Sequence, residues 1–238
     1  MRYLLIVISS MMFLSCQSPK EESFKVEHKG ALKNFMMKGD VSAKAELSDL
    51  KDIKHLYAIG ATENLKGEIQ IFNSQPHITS VGKNSLEFDN TYNSKAALLV
   101  YASVEKWESI AIPDSIISYE HLENFVKKAA DKNGINTEEP FPFLLEGLIS
   151  SFDWHVINWK AGDSIHTHKK HKKSGMYGTI NNREVVMLGF YSNAHHAIFT
   201  HHTTNMHIHV KTAGNGVAGH VDGLFLENGM TLKLPKIE

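Results

Sequence analysis

The stretch Asn205-Met206-His207-Ile208-His209-Val210, continued after a connector by Ala218-Gly219-His220-Val221-Asp222, carries the reading of this chain. His207 and His209 are two apart, so on a strand their imidazoles point to one face. The connector, Lys211 to Ala218, holds Gly214, Asn215 and Gly216 and predicts a turn. A hairpin closing there returns His220 to the side of the first two. A single histidine is more often a satisfied polar residue than a ligand. Three converging imidazoles with a fourth position open are how catalytic zinc is usually held. His207, His209 and His220 are therefore the expected metal ligands, with Zn2+ the expected ion. Nickel, copper or iron(II) suits the same donors.

Composition sets the bounds. The chain has 238 residues and a formal net charge of -1, enough for one large or two small packed domains and too neutral to argue for nucleic-acid binding. Its 42% hydrophobic content supports a core. The single cysteine, Cys16, excludes an intrachain disulfide. It follows a basic start and an apolar run, Tyr3 to Phe13, too short to span a bilayer. Leu14-Ser15-Cys16 resembles a bacterial lipoprotein box, with an ordinary cleaved signal or an uncleaved anchor as the alternatives. Residues 1–15 are accordingly expected to be a signal peptide and 16–29 a flexible tether. The expected location is the bacterial cell envelope, on its periplasmic or extracellular face, with membrane attachment through a lipid on Cys16.

Working along the chain, short helices are predicted at 31–37 and 45–51. Strands are predicted at 55–59, 69–72, 76–81 and, as a buried apolar run, 95–104, with Gly67 as the turn ahead of 69–72. Ser118 caps a helix to Lys132 whose stripe is Leu122, Phe125, Val126 and Ala129, closed by Gly134. The prolines at 140 and 142 predict a joint. Strands at 143–148, 152–159, 185–191 and 230–234 follow. Residues 161–174 hold His166, His168 and His171 among four lysines. A second metal site at His166 and His168 is opposed by those charges, so a solvated loop is expected. His195, His196, His201 and His202 either line an access route or lie in solvent. The fold class is α+β: a mixed β-sheet N-terminal half (30–138) packed on a mostly β C-terminal half (139–238) that carries the metal hairpin.

Several of these residues together resemble the alpha-acetolactate decarboxylase family. Gly30-Ala31-Leu32, Gly39-Asp40 and Leu47 to Lys51 resemble its opening segment. Tyr57-Ala58-Ile59-Gly60 and Leu65-Lys66-Gly67-Glu68 resemble its strand and Gly-Glu motifs. Gly189-Phe190, His207-Ile208-His209 and Gly219-His220-Val221 resemble its metal block. The resemblance runs from Gly30 to Leu234. It implies a two-part mixed fold, zinc on three histidines, a homodimer, and removal of CO2 from 2-acetolactate to give acetoin. It also implies Glu68 as the acid/base residue, an exposed strand-edge glutamate being the alternative.

Two features depart from the family pattern. The family places an arginine in the strand after the joint, whereas no arginine lies between Gly147 and Lys160 here, and His155 or Asn158 falls nearest that place. His155 is the candidate substrate contact, and Lys160 or Arg183 could supply the charge from elsewhere. The family also carries a longer tail with another glutamate, while this sequence stops at Glu238. The expectation is a zinc-dependent carboxy-lyase for 2-acetolactate or a related branched 2-hydroxy-3-keto acid. The alternative is a lipid-anchored protein that binds zinc or a small keto or hydroxy acid without decarboxylating it.

Overall fold

The computed structural model describes residues 24–214, 216–227 and 229–237. The expected signal peptide, its cysteine and most of the tether lie outside these residues. The end of the tether does not. Phe24 is buried, and β1 (Glu27–Lys29) pairs antiparallel with β7. This corrects the tether boundary: an exposed polar segment still finds partners when an unpaired strand edge is beside it.

The first sheet is antiparallel. It comprises β1, β2 (Ala45–Glu46), β3 (Leu56–Thr62), β4 (Gly67–Phe72), β5 (Gln75–Val81), β6 (Leu86–Asp89) and β7 (Lys95–Ser103). The spatial order is β1-β7-β3-β4-β5-β6, with β2 also on β7. The apolar run Ala96 to Val100 sits in β7, buried between β1 and β3. Helix α1 (Leu32–Lys38) packs Phe35 inward and ends at Gly39 in the left-handed conformation. The predicted helix over 45–51 is instead β2 followed by a 3-10 turn, Leu47–Leu50. Gly67 is not a turn residue. It lies in β4, where a Cβ would sit 2.2 Å from the Thr79 carbonyl oxygen, so its role is close strand approach.

The second sheet is also antiparallel: β8 (Trp107–Ala111), β9 (Phe141–Val156), β10 (Met176–Tyr191), β11 (Met206–Thr212), β12 (Ala218–Leu226) and β13 (Thr231–Pro235). Strands β9, β10, β11 and β12 pair in a closed circuit, while β13 bridges β9 to β8. The two strands predicted at 143–148 and 152–159 are therefore one strand, β9. Gly147 lies inside it at φ 132°, a conformation that glycine allows. Pro142 belongs to β9 as well, near its start, where a missing donor is tolerated.

Helix α2 (Tyr119–Lys132) forms as its sequence predicts. The Ser118 hydroxyl accepts from the His121 N–H, and Leu122, Val126 and Ala129 are buried. Helix α3 (His168–Lys173) replaces the expected solvated loop. His166 is buried and stacks on Trp159 at 4.4 Å between centroids, and Lys170 and Lys172 are paired with Asp163 and Asp222. Stacking and paired charges thus order a basic segment. One hydrophobic core cluster spans both sheets, from Ile59 and Leu98 to Phe143, Phe190 and Ile208, and a second packs Leu47 and Leu50 on Leu56, Ile69 and Leu99 of the first sheet.

Close packing around β10 gives a direct test. A Cβ on Gly189 would lie 2.2 Å from the fully buried ring of Phe143, whereas one on Gly178 would meet nothing nearer than 3.5 Å. Gly189→Ala should lower unfolding free energy by about 1–3 kcal/mol or more, and Gly178→Ala by no more than about 0.5 kcal/mol, in urea titrations. Equal losses at the two positions would contradict this packing.

Candidate metal centre

The hairpin forms in the expected register, with His209 opposite His220 across β11 and β12. His207 and His209 share a face. Ring centroids are 4.9 Å apart for His207–His209, 5.1 Å for His207–His220 and 5.5 Å for His209–His220. The Nε2 atoms of His207 and His209 are separated by 3.1 Å. Gly219 lets β12 lie against β9, since a Cβ there would stand 2.6 Å from the His155 carbonyl oxygen. That approach sets His155 opposite His220, with ring centroids 4.8 Å apart.

The floor comes from β4, where Glu68 and Gln70 alternate onto the inward face and are buried. The Gln70 amide is oriented by its neighbours. Its carbonyl accepts from His209 Nδ1–H at 3.0 Å and from the Gly219 N–H at 3.2 Å, while its nitrogen donates to the His77 carbonyl at 2.5 Å. With the proton on Nδ1, His209 presents a lone pair on Nε2 to the cluster. Glu68 Oε1 accepts from the Ile157 N–H at 3.2 Å and lies 3.9 Å from His155 Nε2, and its Oε2 lies 3.7 Å from His209 Nε2. Glu68 is thus no exposed strand-edge residue.

Burial governs the charges. It drives the His207 pKa down to about 4 and holds His209 and His220 well below 6.5, the neighbouring imidazoles adding to the effect. The three are neutral at pH 7, the form in which imidazole binds metal. Burial raises Glu68 to about 7, against the lowering pull of His155. Asp222 behaves oppositely. Burial alone would raise its pKa, but the hydrogen bond with His155 and the neighbouring His220 and Lys172 outweigh burial and hold it low.

These residues fit a divalent ion. His207 Nδ1 and His220 Nδ1 are buried without a hydrogen-bond partner, and His207 Nε2 faces the lone pair of His209 Nε2. Two donor sets share His220. One is His207, His209 and His220. The other is His155, His220 and Asp222, whose ligand atoms lie within 4.8 Å of one another. In the first set the His207 and His209 Nε2 atoms face each other at 3.1 Å, while in the second the Asp222 carboxylate also meets Lys172 at 3.2 Å and His155 Nδ1 at 3.0 Å.

The cluster opens on a cavity of about 360 Å³. Leu98, Phe199 and Met206 give it apolar walls, and His168, His171 and His201 lie along it too. Of the loop histidines, His201 therefore reaches the cavity while His202 is exposed. Lys160 and Arg183 are exposed and do not line it, so neither supplies the charge expected from elsewhere, and no lysine or arginine does so among the described residues. His155 does line it. Sequence reasoning missed Gln70 and Asp222. Each lies two residues beyond a named site residue, and that spacing was the available signal.

Fold and site together describe a two-sheet, β-rich protein in which a group of His155, His220 and Asp222 could hold a metal. In fold the chain is similar to alpha-acetolactate decarboxylase from Bacillus subtilis strain 168, with a TM-score of 0.69 and 14% identity over 89% of this chain and 85% of that one. A second structure of acetolactate decarboxylase, from Bacillus subtilis subspecies spizizenii, gives 0.69 and 14%, covering 89% and 86%. A Staphylococcus aureus protein of unknown function, described as similar to alpha-acetolactate decarboxylase, gives 0.68 and 12%, covering 90% and 86%. At this identity the likeness establishes the fold. No protein-family model matches the chain, and no curated protein matches its sequence.

If Gln70 orients His209, Gln70→Ala should weaken zinc binding by about ten- to a hundredfold in chelator competition. Unchanged affinity would show that His209 needs no such support.

Proposed function

We propose that this protein is a metal-dependent carboxy-lyase that converts 2-acetolactate, or a related branched 2-hydroxy-3-keto acid, into acetoin and CO2. The observation that carries this reading is the buried carboxyl of Glu68 beside three neutral imidazoles, at the edge of a cavity sized for a small acid. The fold shared with alpha-acetolactate decarboxylase supports it. His207, His209 and His220 would hold the ion, which we take to be zinc. When bound, it supplies positive charge where negative charge develops as CO2 leaves.

The chain's own residues do the rest. The bond from the carboxylate carbon to C2 breaks, its electron pair moves into the C3 carbonyl, CO2 departs, and a proton returns to C2. Glu68, half-protonated near neutral pH, holds and delivers that proton. Leu98, Phe199 and Met206 take up the methyl groups and exclude water. His155 presents Nε2 to the same space and contacts the substrate. A lipid anchor on Cys16 would place this chemistry in the cell envelope, and a homodimer would be its assembled form.

A second reading rests on the absence of lysine and arginine from the described cavity lining. Without a permanent cation for the substrate carboxylate, the site would bind zinc or a small keto or hydroxy acid without turnover. One experiment separates the two. Zinc-loaded protein given 2-acetolactate should release acetoin and CO2, and Glu68→Gln should cut kcat about a hundredfold or more with metal content unchanged. Stabilisation by the acid without acetoin would select the binding reading.

A further inference from the structure

Three imidazoles outside the inner cluster gather where the cavity meets solvent. His168 opens α3, and His201 and His202 sit in the loop between β10 and β11. Ring centroids are 5.1 Å apart for His168–His201 and 4.0 Å for His201–His202, comparable to the 4.9 to 5.5 Å within the inner cluster. His168 and His201 line the cavity, while His202 is exposed. Both elements are held in place. Asn205 closes the loop by donating its backbone N–H and its side-chain amide to the two Glu123 oxygens, each at 2.8 Å. The Leu32 and Lys33 N–H groups of α1 donate to the carbonyls of Ile198 and Ala197. The Thr167 hydroxyl caps α3 by accepting from the Lys170 N–H at 3.2 Å.

We propose that His168, His201 and His202 form a second divalent-cation subsite at the cavity mouth, separate from the inner cluster and suited to a transition-metal ion such as zinc, copper(II) or nickel. Imidazole is the donor that these ions share. His201 Nδ1 lies 2.8 Å from the Thr203 hydroxyl, which can accept from it when Nε2 binds an ion. The Asp222 carboxylate stands between the outer and inner groups, with Oδ1 3.8 Å from His168 Nε2 and 3.7 Å from His220 Nδ1. The lysines of α3 do not forbid a cation here. Lys170 and Lys172 are paired with Asp163 and Asp222, and Lys169 and Lys173 are exposed, where water and salt screen them. The exposed His202 side chain has to be ordered on binding, so this ion is held more weakly than one at the inner cluster. An ion there brings positive charge to a lining that has no lysine or arginine among the described residues.

Calorimetric titration of the untagged, metal-free full chain with zinc tests this. Wild type should take up two equivalents, the second bound about tenfold more weakly or less tightly still. His168→Asn should remove the second equivalent, as should His201→Asn combined with His202→Asn, each leaving the first unchanged. His121→Asn, which alters an exposed histidine of α2, should keep both. Metal-free melting temperatures equal to that of wild type show that each variant is folded. A wild-type protein that binds one equivalent, retained in the outer variants, would overturn the proposal. So would a second equivalent that survives those variants or vanishes in His121→Asn. The inner site fails separately: a single equivalent that the outer variants abolish would leave the outer site standing and the inner cluster without an ion.

Discussion

The site depends on one buried amide that bridges the two sheets. Gln70 leaves β4 of the first sheet and, with a single carbonyl, accepts from His209 on β11 and from the backbone of Gly219 on β12 of the second. It thereby fixes the hairpin's position and the tautomer of its most buried histidine together. Buried polar groups without partners are costly, so such a bridge holds only if its members satisfy one another. Here they do so around the amide. Two ring nitrogens, His207 Nδ1 and His220 Nδ1, are left over in the cluster. An arrangement that satisfies its scaffold while leaving imidazole nitrogens unpaired is poised for a cation.

Much of this was legible in the sequence, because it depended on short-range periodicity. The two-residue spacing of His207 and His209, the glycines of the connector and the return of His220 fixed the hairpin. The stripe of α2 and the apolar run of β7 likewise needed only local pattern. What escaped was set by long-range pairing. Strand β9 reads as two strands because Gly147 and the polar residues after it interrupt the pattern, and only its partners β10 and β12 make it continuous. Gly67 reads as a turn until Thr79 is seen against it. Helix α3 reads as a solvated loop because its lysines are paired with aspartates distant in sequence or across a turn. The place of Asp222 in the site was hidden for the same reason: its partner His155 is 67 residues away.

The electrostatic design is unusual for the acid-binding pocket that we propose. Six histidines and two carboxylates lie along the cavity, with no lysine or arginine among the described lining residues. Lys172 stands just outside, and its charge is spent on Asp222. On the proposed function, the attraction for an anionic substrate would come chiefly from the bound ion. Recognition would then lean on hydrogen-bond direction, and the buried Gln70 amide orients His209.

The central claim is that His207, His209 and His220 share one ion from which Asp222 is excluded. Anomalous scattering at the zinc edge from crystals of the metal-loaded protein tests it most directly. One peak is expected about 2.0–2.1 Å from a nitrogen of each of these three imidazoles, with Asp222 still hydrogen-bonded to His155. A peak bonded to Asp222 and His155 instead, or ions divided between the two donor sets, would contradict it.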